Sequence, residues 1–261
     1  MSDFVYLYGF VPRDAPAPDG LLGIADKTVE LLRAGDVYAV VSDAPADVYA
    51  PDRVEARLKD LQWVAEQGIA HERVVAWFVD HSQILPVPLF TMYSSREALL
   101  NAAMQRIEEL RSELERLRGH REWDVKVFFD ETAMQENAAK VSEKVAQLDQ
   151  EIAAAPAGRG YLLQRKRADL LKSEVQQAAH RRALAVLEAV KPNVAETRTL
   201  PLPRTEDVLP VVLHAALLVR TEQETPVVAT LQAQTAELKS VGMDLSFSGP
   251  WAPYRFTGDH E

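Results

Sequence analysis

Residues 133–190 place the tightest constraint on what this chain can fold into. The stretch 133–155 is rich in Ala, Glu, Lys and Gln, with Val141, Val145, Leu148 and Ile152 in heptad spacing. APAGRG (155–160) interrupts it. YLLQRKRADLLKSEVQQAAHRRALAVLEAV (161–190) then restores the helical period for about eight turns, and Lys191-Pro192 ends it. Two such segments joined by a Gly-Pro turn predict an antiparallel helical hairpin over 136–190 with a coiled-coil-like seam. Strand patterns flank it: WDVKVFFD (123–130) before, NVAETRTLPLP and VLPVVLHAALLV after. A helix around 223–240 and the terminal MDLSFSGPWAPYRF complete the order β-α-β-β-α-β, the split βαβ or ferredoxin-like arrangement.

The first half carries the same ingredients. FVYLYGFV (4–11) is an aromatic, β-branched strand stopped by PRDAPAPDGLLG. TVELL (28–32) and VYAVVSDA (37–44) flank Ala34-Gly35-Asp36 as a hairpin. From Pro51 a helix places Val54, Leu58, Leu61, Val64 and Ala65 on one face behind Asp52 as a cap. A second helix comes after Gly68 with Val74, Val75, Phe78 and Val79. The two prolines of SQILPVPLFTMYSS (82–95) make it an edge or irregular strand. Ser94-Ser95 opens a third helix with Ile107, Leu110, Leu114 and Leu117 inward, Glu108/Arg111, Glu113/Arg116 and Glu115/Arg118 outward, and Gly119 as its stop. The fold class is therefore α+β: two ferredoxin-like α/β domains, 1–122 and 123–261, the second bearing the hairpin. A chain of 261 residues accommodates both.

A net charge of -10 argues against nucleic acid or an anionic membrane as the main target. The absence of cysteine excludes disulfides, zinc-thiolate sites and thiol nucleophiles. MSDFVYLYGFV has no basic segment and reads as a strand, not a signal peptide. The apolar run 211–219 has about half the ~18 residues of a membrane span, so a cytoplasmic location is expected.

No catalytic, cofactor or metal site emerges. His71, His81, His120, His180, His214 and His260 fall in neither HxxxH nor HExxH spacing. Asp80-His81 are adjacent, so they do not face each other on a helix, and His214 in its apolar strand reads as a core histidine bonded to backbone. GRG at 158–160 joins two helices and reads as a hairpin turn, not a phosphate loop. Two basic clusters, Arg165-Lys166-Arg167 and His180-Arg181-Arg182, are either a solvated helical face or a docking surface for an acidic partner. Arg159, Tyr161, Arg165 and Lys166 are the candidate partner-binding residues, on a hairpin that projects partly from the body.

The terminal DLSFSGPWAPYRF (244–256) puts aromatics where chains usually fray. Leu245 and Phe247 share one face of a closing strand, Gly249 and Pro250 turn the chain, and Pro253 restricts the residues after it. Trp251, Tyr254 and Phe256 are then expected to lie back across apolar surface, near the contact between the domains, as a clasp. The alternative is a set of exposed rings kept for a partner.

YLYGFV, HSQILPVPLFTMYSSREAL, WDVKVFFD, GRGYLLQRK and DLSFSGPWAPYRF fall in an order that resembles the gas vesicle protein F/L family over nearly the whole chain. The terminal Gly249–Phe256 motif is the most specific of these. One departure is Pro88-Leu89-Phe90-Thr91, where many members carry Arg-Phe-Gly-Thr. The resemblance implies a non-enzymatic accessory protein associated with gas vesicles. It would contact the hydrophobic major shell protein, and other vesicle accessory proteins, and keep the shell protein from aggregating during nucleation. A small-molecule sensor built from two ferredoxin-like domains is the alternative.

Overall fold

The structure is a computed structural model describing residues 3–203 and 209–258; His260 lies outside the described residues. The chain divides into two compact units, 123–249 and 3–122 with 250–258. Residues 250–258 thus group with the first unit, whereas the sequence reading kept all of 123–261 together.

The first unit opens with β1 (Phe4–Pro12), followed by the hairpin β2 (Glu30–Ala34) and β3 (Val37–Ala44). Gly35 turns that hairpin at φ +60. The short helices α1 (Ala46–Tyr49) and α2 (Pro51–Arg57) precede the long α3 (Leu61–His81). β4 (Leu85–Pro86), β5 (Met92–Tyr93), α4 (Arg96–Gln105) and α5 (Ile107–Arg116) come next. The sheet order is β2-β3-β1-β4, with β5 also on β1. β1 pairs antiparallel with β3 along its length, with a register shift between Leu7 and Gly9. Gly9 is required there, because a Cβ would stand 2.3 Å from the Leu85 carbonyl oxygen. The connection from β1 to β2 holds a 3-10 turn at Ile24–Asp26 and no α-helix.

Several local expectations need correction. Asp60 caps α3, accepting from the backbone N–H of Gln62 and Trp63 at 3.1 Å each; Asp52 instead lies inside α2. Leu58 and Leu61 are exposed, because α2 ends at Arg57 and the helical phase restarts at Asp60. Val64 is half-buried and Ala65 exposed. α3 runs through Gly68, and its inward face is His71, Val74, Val75 and Phe78. The third helix is broken at Arg106 into α4 and α5. Its cap is Ser95, its three-apart ion pairs all form, and Leu110, Leu114 and Leu117 are buried.

The second unit runs β6 (His120–Phe129), α6 (Glu131–Glu136), α7 (Ala138–Val141), α8 (Glu143–Ala154) and α9 (Ala157–Val190). β7 (Glu196–Thr199), β8 (Val211–Arg220), α10 (Glu224–Lys239) and β9 (Met243–Trp251) complete it. Its sheet order, β7-β8-β6-β9, repeats that of the first sheet: second, third, first and fourth strand. The core joins Val125, Val127 and Leu217 to Val175, Ala179 and Val186 of α9. The arm preceding α9 is not one helix. It breaks at Asn137 and again at Ser142, whose hydroxyl caps α8 and bonds the Glu174 carboxylate at 3.0 Å. Lys144 also reaches Glu174, at 2.6 Å. The lysine first and Ser142 second hold that carboxyl below its usual range. The turn between α8 and α9 is Ala155-Pro156; GRG already lies in the first turns of α9, with open space beside Gly158 and Gly160. No helix of the described residues is long and apolar enough to cross a membrane.

Candidate functional site

Pro156 starts α9, since its ring cannot continue α8 but suits a helix N-terminus. The first turns of α9 expose large apolar side chains. Tyr161 is 66% and Leu162 65% exposed. Arg159, Arg165 and Lys166 are exposed and make no ion pair with another described residue. Arg167, from the same basic run, differs: its guanidinium pairs with Asp149 of α8. The second basic cluster is partly engaged too, with Arg182 3.2 Å from Glu237 of α10. The structure therefore brings Arg159, Tyr161, Arg165 and Lys166 onto one exposed stretch, with Leu162 added to them.

The terminal aromatics divide. Phe247 on β9 packs against the second unit's core, its ring centroid 6.3 Å from that of Trp123. Gly249 has φ +151, a conformation open to glycine, and leads into Pro250. Trp251 keeps 40% of its surface, so it is not the buried ring expected of a clasp. Ala252 and Phe256 are fully buried in its place.

Tyr254 and Arg255 insert into a polar array that the sequence did not reveal. Arg255 donates from its backbone N–H to Glu122 at 2.9 Å, and its guanidinium bonds the same carboxylate, which is 2% exposed. The Arg116 guanidinium donates to the Phe256 carbonyl. Tyr254 donates its hydroxyl proton to Glu72 at 3.1 Å. That leaves the Tyr254 oxygen to accept from His71 Nε2 at 3.2 Å. His71 Nδ1 then accepts from the Tyr6 hydroxyl at 2.9 Å, while the Tyr6 oxygen accepts from the Phe90 N–H. One direction of donation runs from Phe90 N–H and Tyr6 through His71 and Tyr254 to one oxygen of Glu72, and it requires the neutral Nε2–H form of His71. Burial, opposed by a bond to the Val87 backbone, lowers the His71 pKa to about 4, which favours the neutral ring. Burial also raises Glu72, reinforced by the charge of Glu122 and opposed by the Tyr254 hydroxyl. Glu72 Oε1 is buried without a hydrogen-bond partner.

Most of these bonds run between the array and residues 254–256, so the array holds a chain segment in place. His71 was legible in principle: it sits one turn before Val74 and Val75 on the inward face of α3, where a polar residue needs a partner. His214 bonds the Pro201 carbonyl, as expected of a core histidine, and also Asp124 at 2.8 Å. His81 stacks on Trp77 at the end of α3. Among the described residues, no group of three or more His, Cys, Asp or Glu is placed to hold a metal ion.

A cleft of about 400 Å³ opens elsewhere on the first unit, walled by Phe4, Tyr49, Val54, Phe90 and Met92. Phe90 has φ +66, a region costly for a side chain with a Cβ. Its ring stacks on Trp63 at 5.3 Å and 7°, and Arg57 covers the Trp63 ring.

Comparison with known proteins places this geometry among relatives. The family model "Gas vesicle synthesis protein GvpL/GvpF" matches residues 4–258. The chain is 30% identical to gas vesicle protein L of Streptomyces sp. (strain CB03234), across 97% of this chain and 92% of the relative. It is 28% identical to gas vesicle protein L2 of Halobacterium salinarum, across 99% and 93%. Among solved structures it superimposes on gas vesicle protein GvpF from Anabaena sp. PCC7120 with a TM-score of 0.74 at 19% identity, covering 100% of both chains. GvpF from Microcystis aeruginosa gives 0.68 at 20% identity, covering 98% of this chain and 99% of that one.

Proposed function

This chain belongs to the gas vesicle synthesis protein GvpL/GvpF family, and we propose that it is a vesicle-associated accessory protein that binds the major shell protein and limits its aggregation while shells nucleate. The role is non-catalytic and cytoplasmic, with other vesicle accessory proteins as further partners. A shell protein rich in apolar surface associates with itself before assembly, and a soluble acidic chain that covers that surface transiently would keep it available.

The observation that carries the reading is the start of α9, where Tyr161 and Leu162 stand exposed beside Arg159, Arg165 and Lys166, which are exposed as well. An apolar pair flanked by cations suits a partner surface that is apolar at its centre and acidic at its rim. We read the hairpin of α8 and α9 as the arm presenting this surface, and the two units as ferredoxin-like variants on the strength of their shared strand order. The segment around Tyr254 and Phe256 acts as a clasp internal to the first unit.

The test is capture of the shell protein by the full chain carrying Arg165→Glu and Lys166→Glu. Capture should weaken while circular dichroism and melting stay unchanged, because both side chains are exposed. Undiminished capture would return the cluster to a merely solvated helical face.

A further inference from the structure

We propose that the seat occupied by residues 250–258 is an exchangeable peptide site, able to take the same segment from a second copy of this chain. The seat is built from residues of the first unit, whose boundary falls within β6 just after Glu122. Tyr6 comes from β1, His71 and Glu72 from α3, Arg116 from α5 and Glu122 from the start of β6. Each meets a specific feature of the segment or supports one that does. Glu122 takes the backbone and guanidinium of Arg255; His71 and Glu72 take the Tyr254 hydroxyl; Arg116 takes the Phe256 carbonyl. Tyr6 sets the tautomer of His71. Ala252 and Phe256 add fully buried apolar contacts.

Such a seat is expensive to leave empty. Glu122, a carboxylate that is 2% exposed, would lose both of its bonds to Arg255, and the hydroxyl bonded to Glu72 would be gone. The seat therefore needs an occupant, and it recognises one by sequence: an aromatic hydroxyl, a cation and an apolar ring at Tyr254, Arg255 and Phe256. The segment is tied to β9 through Gly249 and Pro250, and no disulfide is possible in a chain without cysteine. The same bonds form whichever copy supplies it, as in domain swapping. Only effective concentration favours self-occupation, at a level of about millimolar for a short flexible link. Intact chains at micromolar concentration therefore keep their own segment, and exchange becomes visible once self-occupation is blocked.

Two full-length variants do this. The seat variant carries Glu122→Arg and keeps an intact C-terminal segment; the segment variant carries Tyr254→Ser and Phe256→Ser and keeps an intact seat. Each alone should elute as a monomer in size exclusion with light scattering, and an equimolar mixture should form a one-to-one dimer. Adding Phe256→Ser to the seat variant should abolish that dimer. A mixture that stays monomeric, with both variants native by circular dichroism, overturns the proposal. If either variant fails to fold, the full chain carrying Tyr254→Phe and Phe256→Leu, whose own segment is weakened, is titrated up to millimolar concentration with a fluorescein-labelled peptide spanning 250–258. Saturable binding that a Tyr254→Ser peptide loses supports exchange, and absence of binding overturns it.

Discussion

His71 makes the first unit acid-sensitive in a way that can be calculated. Its folded pKa lies near 4, against an ordinary value of 6.5. Because the folded value is depressed, the unfolded chain binds the proton more readily between those limits. Stability is therefore complete above pH about 6.5 and lost as pH falls towards 4. The full loss is about 3 kcal/mol, from the gap between 6.5 and about 4 at ~1.4 kcal/mol per pH unit, and roughly 2 kcal/mol of it is gone by pH 5. Glu72 works in the opposite direction. Its folded pKa is raised, so the folded state takes up a proton first on acidification, and the net slope is shallower than His71 alone dictates. The perturbation is His71→Gln, which keeps one donor and one acceptor and removes the titration. Native-state hydrogen exchange of the α3 amides reads this unit specifically. Between pH 7.5 and 5, once corrected for intrinsic exchange, the wild type should lose up to about 2 kcal/mol more opening free energy than the variant. The imidazole resonance of His71 should show no titration above pH 5. A His71 that titrates near 6.5, or parallel pH profiles for the two proteins, would refute the buried neutral histidine as the hinge of this array.

Phe256→Ala should destabilise the protein by about 3–5 kcal/mol, because it empties a fully buried aromatic site. Trp251→Ala, at a residue 40% exposed, should cost clearly less; the reverse order in urea denaturation would contradict the placement of the two rings. Phe90→Gly should be more stable than Phe90→Ala by about 1 kcal/mol, since both lose the stack on Trp63 but only glycine relieves the positive φ. Equal stabilities would show that the backbone there is not strained. Ser142→Ala should cost about 1–2 kcal/mol through loss of the α8 cap and of a bond to the buried Glu174, measured by thermal unfolding.

Local periodicity made part of this fold legible in the sequence. β1, the β2-β3 hairpin and the three-apart ion pairs of α5 come from an aromatic and β-branched run, turn residues and helical spacing, each complete within a few residues. The errors fall where phase or partner is set from a distance. Leu58 and Leu61 looked inward only if one helix ran from Pro51, but Asp60 resets the phase, and a cap is indistinguishable from any other aspartate until its N–H partners are known. GRG resembled a turn because glycine is a poor helix former. Pro156, which lies two positions before it, does the breaking, and an exposed helix end tolerates the glycines. The terminal segment is the instructive case. Its aromatic content announced burial, and Phe256 is buried, yet which ring faces inward depends on Glu122, Glu72 and His71, between 133 and 183 residues away along the chain. A one-sequence reading can see that such a segment must dock. It cannot see the carboxylates that orient it, because isolated glutamates on a strand and a helix look like solvated charges until the fold closes over them. The same asymmetry explains why the exposed stretch of α9 could be read from composition: no other part of the fold has to close over it for its charges and rings to be seen.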